Sequence, residues 1–454
     1  MKPIDIGTRR ELLLDDYLLE SLDGAELALN RPQPREVAIE HDAPWEGNVC
    51  FYHTVFQDGG LYRMYYRGSH YDENEQKMQH QVVCYAESRD GIVWEKPELG
   101  LVEFAGSKKN NIIWDGLGSH NFAPFLDANP AVPADQRYKA LASKGMEGLY
   151  AFGSPDGVSW RMLREEPVIT QGKFDSQNLA FWDPGRGCYV DFHRDFRQVE
   201  GEGGVRDIVT CTSDDFFDWS EPRWLQYPGA PDEHLYTNQV NPYPRAPHIY
   251  MGFPKRFMPE RRVFEHQYKG VSDAVFMSSR DGVSFRRWGE AFIRPGPQPE
   301  RWLNRNNMIN CGFAQTASPY AGAPDELSFY SIEGYYRGEA CRMRRYALRL
   351  DGFVSLRAPL AGGEALSRPL VVGGAELRLN YATSAAGSVQ VEVQDAEGKA
   401  LPGFGLDDCP AAYGDETDGV VGWNAGSDLG RLAGQTVRLR LRLSDADLYA
   451  LRWA

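Results

Sequence analysis

No apolar run in this 454-residue chain approaches the length of about 18 that a membrane-spanning helix needs, and the opening MKPIDIGTRRELLLDD lacks the apolar centre of a signal peptide. The expectation is a protein that engages no membrane and is either cytoplasmic or secreted with its leader missing from this sequence. Basic charge is scarce: 49 lysines and arginines stand against 64 aspartates and glutamates, a formal charge of -15. Phosphate backbones are gripped by concentrated Lys and Arg, so nucleic acid is not an expected partner. Seven cysteines are scattered without a CxxC pair, which suits buried thiols in a reducing compartment better than a disulfide or zinc scaffold. No His and acid pattern has HExxH spacing, and no Asp-Gly pair continues into the ligand set of an EF-hand, so no catalytic metal is expected. A long amphipathic helix is also missing.

What is present is a repeat. SRDGIVW at 88–94 returns as SPDGVSW at 154–160, SDDFFDW at 213–219 and SRDGVSF at 279–285, with serine-to-serine separations of 66, 59 and 66 residues. Each copy follows a strand-like run, QVVCYAES, LYAFGS, RDIVTCTS or DAVFMSS, and supplies Asp and Gly where a turn needs them. LSFYSIEGYY and CRMRRYALRLDGFVSL, at 327–336 and 341–356, give a weaker fifth unit, so five units span roughly residues 40 to 356. Four-stranded units at this period predict an all-β fold, a five-bladed β-propeller, in preference to paired sandwiches with coincidental turns. After residue 360 alternating strands such as SVQVEVQD and QTVRLRLRL predict a small β-sandwich domain, as structural support or as a carbohydrate-contacting module. The expected division is therefore 1–359, with an N-terminal extension, and 360–454.

The recurring SRDGxxW turns and the paired domains resemble the five-bladed glycoside hydrolases of families 32, 43, 68 and 117 and the related hydrolase and phosphorylase family 130. The invertase-like WMNDPNG opening is absent and the RDP motif has at most Arg206-Asp207-Ile208 as a counterpart, which sets the chain apart from ordinary fructosidases. The resemblance implies an enzyme that cleaves terminal sugars of small oligosaccharides by carboxylate acid/base catalysis. It also leaves room for a phosphate-dependent phosphorylase, for a non-catalytic carbohydrate-binding propeller and for a structural calcium, with no cofactor required. An oligomer is compatible with the sequence.

In such a propeller the first strand of each blade lines the centre, which places WEGN at 45–48, SHNF at 119–122, FDSQN at 174–178, LYTNQ at 235–239 and NRNNM at 304–308 around the substrate. Glycosidic cleavage takes one carboxyl to protonate the leaving oxygen and one carboxylate as base or nucleophile. Position nominates Asp175 as base or nucleophile, Glu233 as general acid and Glu46 as a further catalytic candidate. Trp45, His120, Asn121, Gln177, Asn178, Asn238 and Asn307 are the expected sugar contacts, with Asp273 and Glu333 as reserve carboxylates. Arg194, Arg206 and Arg256, with Arg305 nearby in sequence pattern, suggest a subsite for an anionic sugar or phosphate.

Overall fold

The computed structural model describes residues 2–199 and 203–454. Five sheets succeed one another along the chain from residue 33 to residue 349, and each is a blade. Blade one runs outward through Phe51–Asp58, Leu61–Gly68, Val82–Ser88 and Ile112–Trp114. Blade two uses Ala123–Leu126, Tyr138–Ser143, Leu149–Ser154 and Arg161–Met162; blade three uses Leu179–Asp183, Cys188–Val199, Gly203–Ser213 and Arg223–Trp224. In blade four the first strand is split into His234–Leu235 and Asn241–Tyr243, and the second into Ala246–Gly252 and Lys255–Met258, because Pro254 interrupts the ladder. Val271–Ser279 and Arg286–Ile293 complete it. The five-bladed propeller expected from the repeats is the fold of this segment.

The four repeated turns have one geometry. Ser88 Oγ donates to Asp90 Oδ1 at 2.9 Å and accepts from Gly91 N, while Asp90 Oδ1 accepts from the amides of Ile92 and Val93. Ser154, Ser213 and Ser279 repeat the bond to Asp156, Asp215 and Asp281 at 3.0 Å. Glycine holds the left-handed position in three copies; Phe216 takes it in the third at φ 74°, and its ring packs edge-on to Phe125 and Trp219 and tilted against Tyr189. A non-glycine residue there costs about 1–2 kcal/mol, which a fully buried phenyl ring is able to offset. The terminal aromatics fill the gaps between blades: Trp94 of blade one stands edge-on to Tyr330 of blade five, and Trp160 of blade two to Tyr65 of blade one.

Blade five departs from expectation. Its strands are Ala314–Thr316, Glu326–Glu333, Arg342–Arg349 and, as the fourth, Gln33–Glu40 from the beginning of the chain. Val354–Ala358, read from sequence as part of this fifth unit, pairs instead with Glu26–Leu29 and with Thr436–Trp453. The compact units are accordingly 32–347 and a second one built from 1–31 together with 348–454, so the boundary expected at 359/360 falls about a strand earlier and the N-terminal extension belongs to the C-terminal unit. The reason is burial: Ile6, Leu13, Leu18 and Leu19 enter the same apolar cluster as Leu356, Val391, Leu441 and Trp453. That unit is a ten-stranded hydrogen-bonded sheet around one core, with Leu377–Gln394 and Thr436–Trp453 as its long strands.

All seven cysteines are free thiols. Among the described residues no helix is long and apolar enough to cross a membrane.

Candidate active site

First strands of blades five, one, two and three touch in turn, and amide side chains lock them together. Gln177 Nε2 donates to Tyr52 O at 3.0 Å and Thr54 Oγ1 at 2.9 Å, while its Oε1 accepts from Gln239 Nε2 at 2.8 Å. Asn121 donates to Phe174 O and Ser176 O, and so does Asn178; Asn238 donates to Phe192 O; Asn307 donates to Ser272 O and accepts from Arg301 Nε. All five are buried with these bonds made. They satisfy backbone carbonyls of a loop, at Phe174 and Ser176, and of strands, at Tyr52, Phe192 and Ser272, so the structure gives them a scaffolding position where sequence suggested sugar contacts.

Against this frame sits a charged pocket centred on Asp175, in the loop before Leu179–Asp183. The side chain is 50% exposed, and Oδ1 lies 2.9 Å from His120 Nε2. Burial opposes its ionisation, but the hydrogen bond from His120 and the charges of His120, Arg194 and Arg305 prevail, pulling the carboxyl down to about 2. His120 Nδ1 faces Arg67 Nη1 at 3.3 Å and Gln81 Oε1 at 3.2 Å. Since an ionised Asp175 only accepts, Nε2 carries the proton; Nδ1 donates to Gln81 Oε1 in the charged ring and accepts from Arg67 in the neutral one. Burial, opposed by the Asp175 hydrogen bond, lowers the His120 pKa and favours that form.

Cations and tyrosines make up the rest. The guanidinium of Arg194 lies 4.7 Å from the centre of the Tyr236 ring, that of Arg206 5.7 Å from the same ring, and that of Arg67 5.3 Å from Tyr52. Arg305, held at φ 73°, reaches Tyr335 Oη at 3.3 Å. Lys255 is fully buried, with Nζ 4.1 Å from the Tyr236 ring centre and 3.2 Å from Asn304 Oδ1. Burial first, and then the charges of Arg305, Arg206 and Arg194, push its amine well below its ordinary pKa. The Nε atoms of Arg67, Arg194, Arg206 and Arg305 are each buried without a hydrogen-bond partner. Buried guanidinium donors left unmatched are expensive, and Arg287 Nε beside Glu233 is another of them.

The other carboxylates expected in the site stand elsewhere. Glu233 accepts from Arg256 at 3.1 Å and from Arg287, while Arg256 holds Asp273 through two bonds of 2.9 and 2.7 Å. Alternation along Lys255–Met258 explains this: Lys255 joins the Asp175 pocket and Arg256 points to the opposite face. Glu46 is sealed, 1% exposed, accepting from Lys96 Nζ at 2.6 Å, Ala43 N at 3.0 Å and the Tyr66 hydroxyl. Burial resists its ionisation, but His41 and Lys96 outweigh it and hold the carboxyl near 2. Trp45 donates its indole N–H to Asn111. Glu333, fully buried, is clamped by Arg344 at 2.8 Å, Arg342 at 3.2 Å and Arg301 at 3.4 Å. Asp175, Glu233 and Glu46 are thus held by separate sets of partners.

Of the sequence-nominated residues, the pocket unites Asp175, His120, Arg194, Arg206 and Arg305. Sequence reading missed Tyr52, Arg67, Tyr236 and Lys255. A cleft of about 440 Å³ continues from His120 past Gln79, Gln81, Ser119, Ser143 and Lys144. A larger cavity of about 690 Å³ lies in the C-terminal unit, where its Arg357 is already paired with Asp447 at 2.7 Å; the unpaired donors around Asp175 mark the better candidate.

No family model matches the chain. Two uncharacterized Mycobacterium tuberculosis proteins, Rv1502 and MT1551, are 32% identical over 149 residues and 34% over 152; each alignment covers 32% of this chain and 44% of the relative, so the chain spans less than half the length of the curated relatives it matches. Similar solved structures include the catalytic domain of a family 62 alpha-L-arabinofuranosidase from Coprinopsis cinerea, with 10% identity, 70% of this chain and 97% of that one covered, and a TM-score of 0.44. A family 32 beta-fructofuranosidase from Bombyx mori gives 11% identity, coverages of 92% and 94%, and a TM-score of 0.43. A structure from family 130, a family of mannoside phosphorylases that contains glycoside hydrolases, gives 13% identity, coverages of 74% and 96%, and a TM-score of 0.38.

Proposed function

We propose that the protein cleaves a glycosidic bond in the Asp175 pocket, on a substrate whose sugar carries an oxyanion: a carboxylate, a sulfate or a phosphate. One observation carries this reading: an ionised, half-exposed carboxylate faces Arg67, Arg194, Arg206, Arg305 and Lys255, and the four arginines have unpaired Nε donors. The pocket's tyrosines add the aromatic and hydroxyl surface on which sugars are recognised. The anionic group sits among the guanidiniums, where each charge-assisted bond contributes about 1.5–3 kcal/mol. Asp175, ionised at neutral pH, takes the proton of the attacking water or attacks carbon itself; it does not serve as the acid. His120 and Lys255 are the neighbouring groups with exchangeable protons.

The same observation favours a second reading. Four guanidiniums and the Lys255 amine beside one carboxylate also suit inorganic phosphate as the attacking group, which makes the reaction a phosphorolysis. Product profiling on neutral, uronate, sulfated and phosphorylated glycosides, with and without phosphate, tests both. Free sugar from an anionic glycoside supports hydrolysis, and a phosphate-dependent sugar phosphate supports the second reading. Salt-sensitive binding of an anionic glycan with no turnover overturns both in favour of a binding propeller.

A further inference from the structure

On the central strands of blade three, Asp191 lies directly opposite Cys211, and His193 is two residues further along the same strand face. All three side chains are fully or almost fully buried, at 0%, 1% and 0% exposure for Asp191, Cys211 and His193. One ligand atom from each comes within 4.8 Å of the other two. His193 Nε2 lies 2.9 Å from Gln171 O, an acceptor only, so that nitrogen carries a proton. Its Nδ1 then meets Asp191 Oδ1 at 2.5 Å. Two acceptor lone pairs do not approach this closely without a positive charge between them. Asp191 Oδ2 is buried and has no hydrogen-bond partner, which leaves half of the carboxylate unsatisfied in the core. The imidazole is held from behind as well: a Cβ at Gly172, where φ is +150°, would stand 2.6 Å from His193 Cδ2.

We propose that Asp191, His193 and Cys211 bind one divalent metal ion of borderline softness, zinc by preference, as a staple between the strands Cys188–Val199 and Gly203–Ser213. A thiolate, an imidazole and a carboxylate form a donor set that zinc accepts, and burial fits a closed structural site. The bond from Nε2 to a backbone carbonyl is the outer contact that fixes the tautomer of a metal-bound histidine. Tetrahedral zinc spaces such donor atoms about 3.3–3.6 Å apart, so binding opens the Asp191–His193 contact by less than an ångström and draws in Cys211. The ion's charge then stands beside Oδ2, the half of the carboxylate that the core leaves unpaired. On binding, the Cys211 thiol releases its proton and the ion replaces any proton held between Nδ1 and Oδ1. Sequence spacing hides the site, because strand pairing rather than a short motif joins Asp-x-His to the cysteine.

The experiment uses the full chain without an affinity tag, refolded in zinc or in cobalt and then dialysed against metal-free buffer. About one zinc per chain by elemental analysis, and a thiolate-to-cobalt charge-transfer band in the cobalt form, are the expected results. Cys211→Ser should remove the band, and Asp191→Asn should lower metal retention at least tenfold. If both variants misfold, the wild-type cobalt spectrum and metal content still give the answer. Retention below about a tenth of an equivalent, or a cobalt spectrum without a thiolate band, overturns the site and leaves a buried imidazolium–carboxylate pair. A band that survives Cys211→Ser assigns the metal to another cysteine and overturns it equally.

Discussion

Asp175 and Glu233 are both carboxylates beside arginines on the propeller, and they differ in what remains unsatisfied. Glu233 has Arg256 on one oxygen and Arg287 on the other, and Arg256 is also bound twice by Asp273. Asp175 has one hydrogen bond, from His120, and looks onto guanidiniums whose Nε atoms have no partner. In the first cluster both carboxylate oxygens are occupied, although Arg287 Nε is itself buried without a partner. The second is open, and an open charged network in a cavity is the one with capacity for a ligand. Proximity of acids to arginines therefore says little until the partners of every oxygen and nitrogen are followed.

Breaking the contrast at its centre should give the largest effect. Asp175→Asn is expected to reduce turnover by about 10²–10⁴-fold while the protein stays folded, because its carboxylate is half exposed and only His120 loses a partner; initial rates with circular dichroism check both. Next comes Arg194→Met, which keeps bulk against Tyr236 and removes charge. It should raise KM for an anionic glycoside about 10–100-fold, with a smaller change for a neutral analogue.

Glu233→Gln sharpens the comparison from the other side. Turnover should change less than about threefold, whereas stability should fall by about 1–3 kcal/mol as Arg256 and Arg287 lose their charge partner; denaturant melts against rates separate the two. A fall in turnover as large as that of Asp175→Asn, with stability unchanged, would restore Glu233 as the acid.

The smallest effect is a pH slope. Burial, followed by the charges of His41 and Arg67, holds His53 well below its ordinary 6.5, so between the two values the unfolded chain binds the extra proton. Stability is then complete above pH about 6.5 and declines as pH falls, by at most about 1.4 kcal/mol per pH unit for this histidine. Thermal melts from pH 7 to 5 should show the decline, and His53→Gln should flatten it.

The repeated turns were legible because their chemistry is local: Ser, Asp and Gly bond within a few residues, and strands on either side announce themselves by alternation. The pocket was legible only in part. Sequence nominated Arg256, yet alternation gives the cavity to Lys255, one residue away. The inward phase of that strand depends on the interruption at Pro254, which the sequence displays without stating its direction. The asparagines and glutamine at the starts of the first strands looked like sugar contacts by composition; their loops need those same amides for backbone groups, and that demand becomes visible only in three dimensions. The fifth blade was misread at its edge, since Val354–Ala358 and Gln33–Glu40 carry equally good strand patterns and only pairing distinguishes them.

That last pairing bears on how the chain folds. Arg345 and Glu36, joined at 2.5 Å, are 309 residues apart, and closing a loop of that length costs roughly 5 kcal/mol in chain entropy. Contacts within blades one to four span far shorter separations, so the ring's last seam is expected to form late and to limit the folding rate. Until it forms, Arg342–Arg349 presents a bare edge to any other strand. A newly made chain thus spends its most aggregation-prone interval with four blades complete and the fifth waiting for a partner synthesised first.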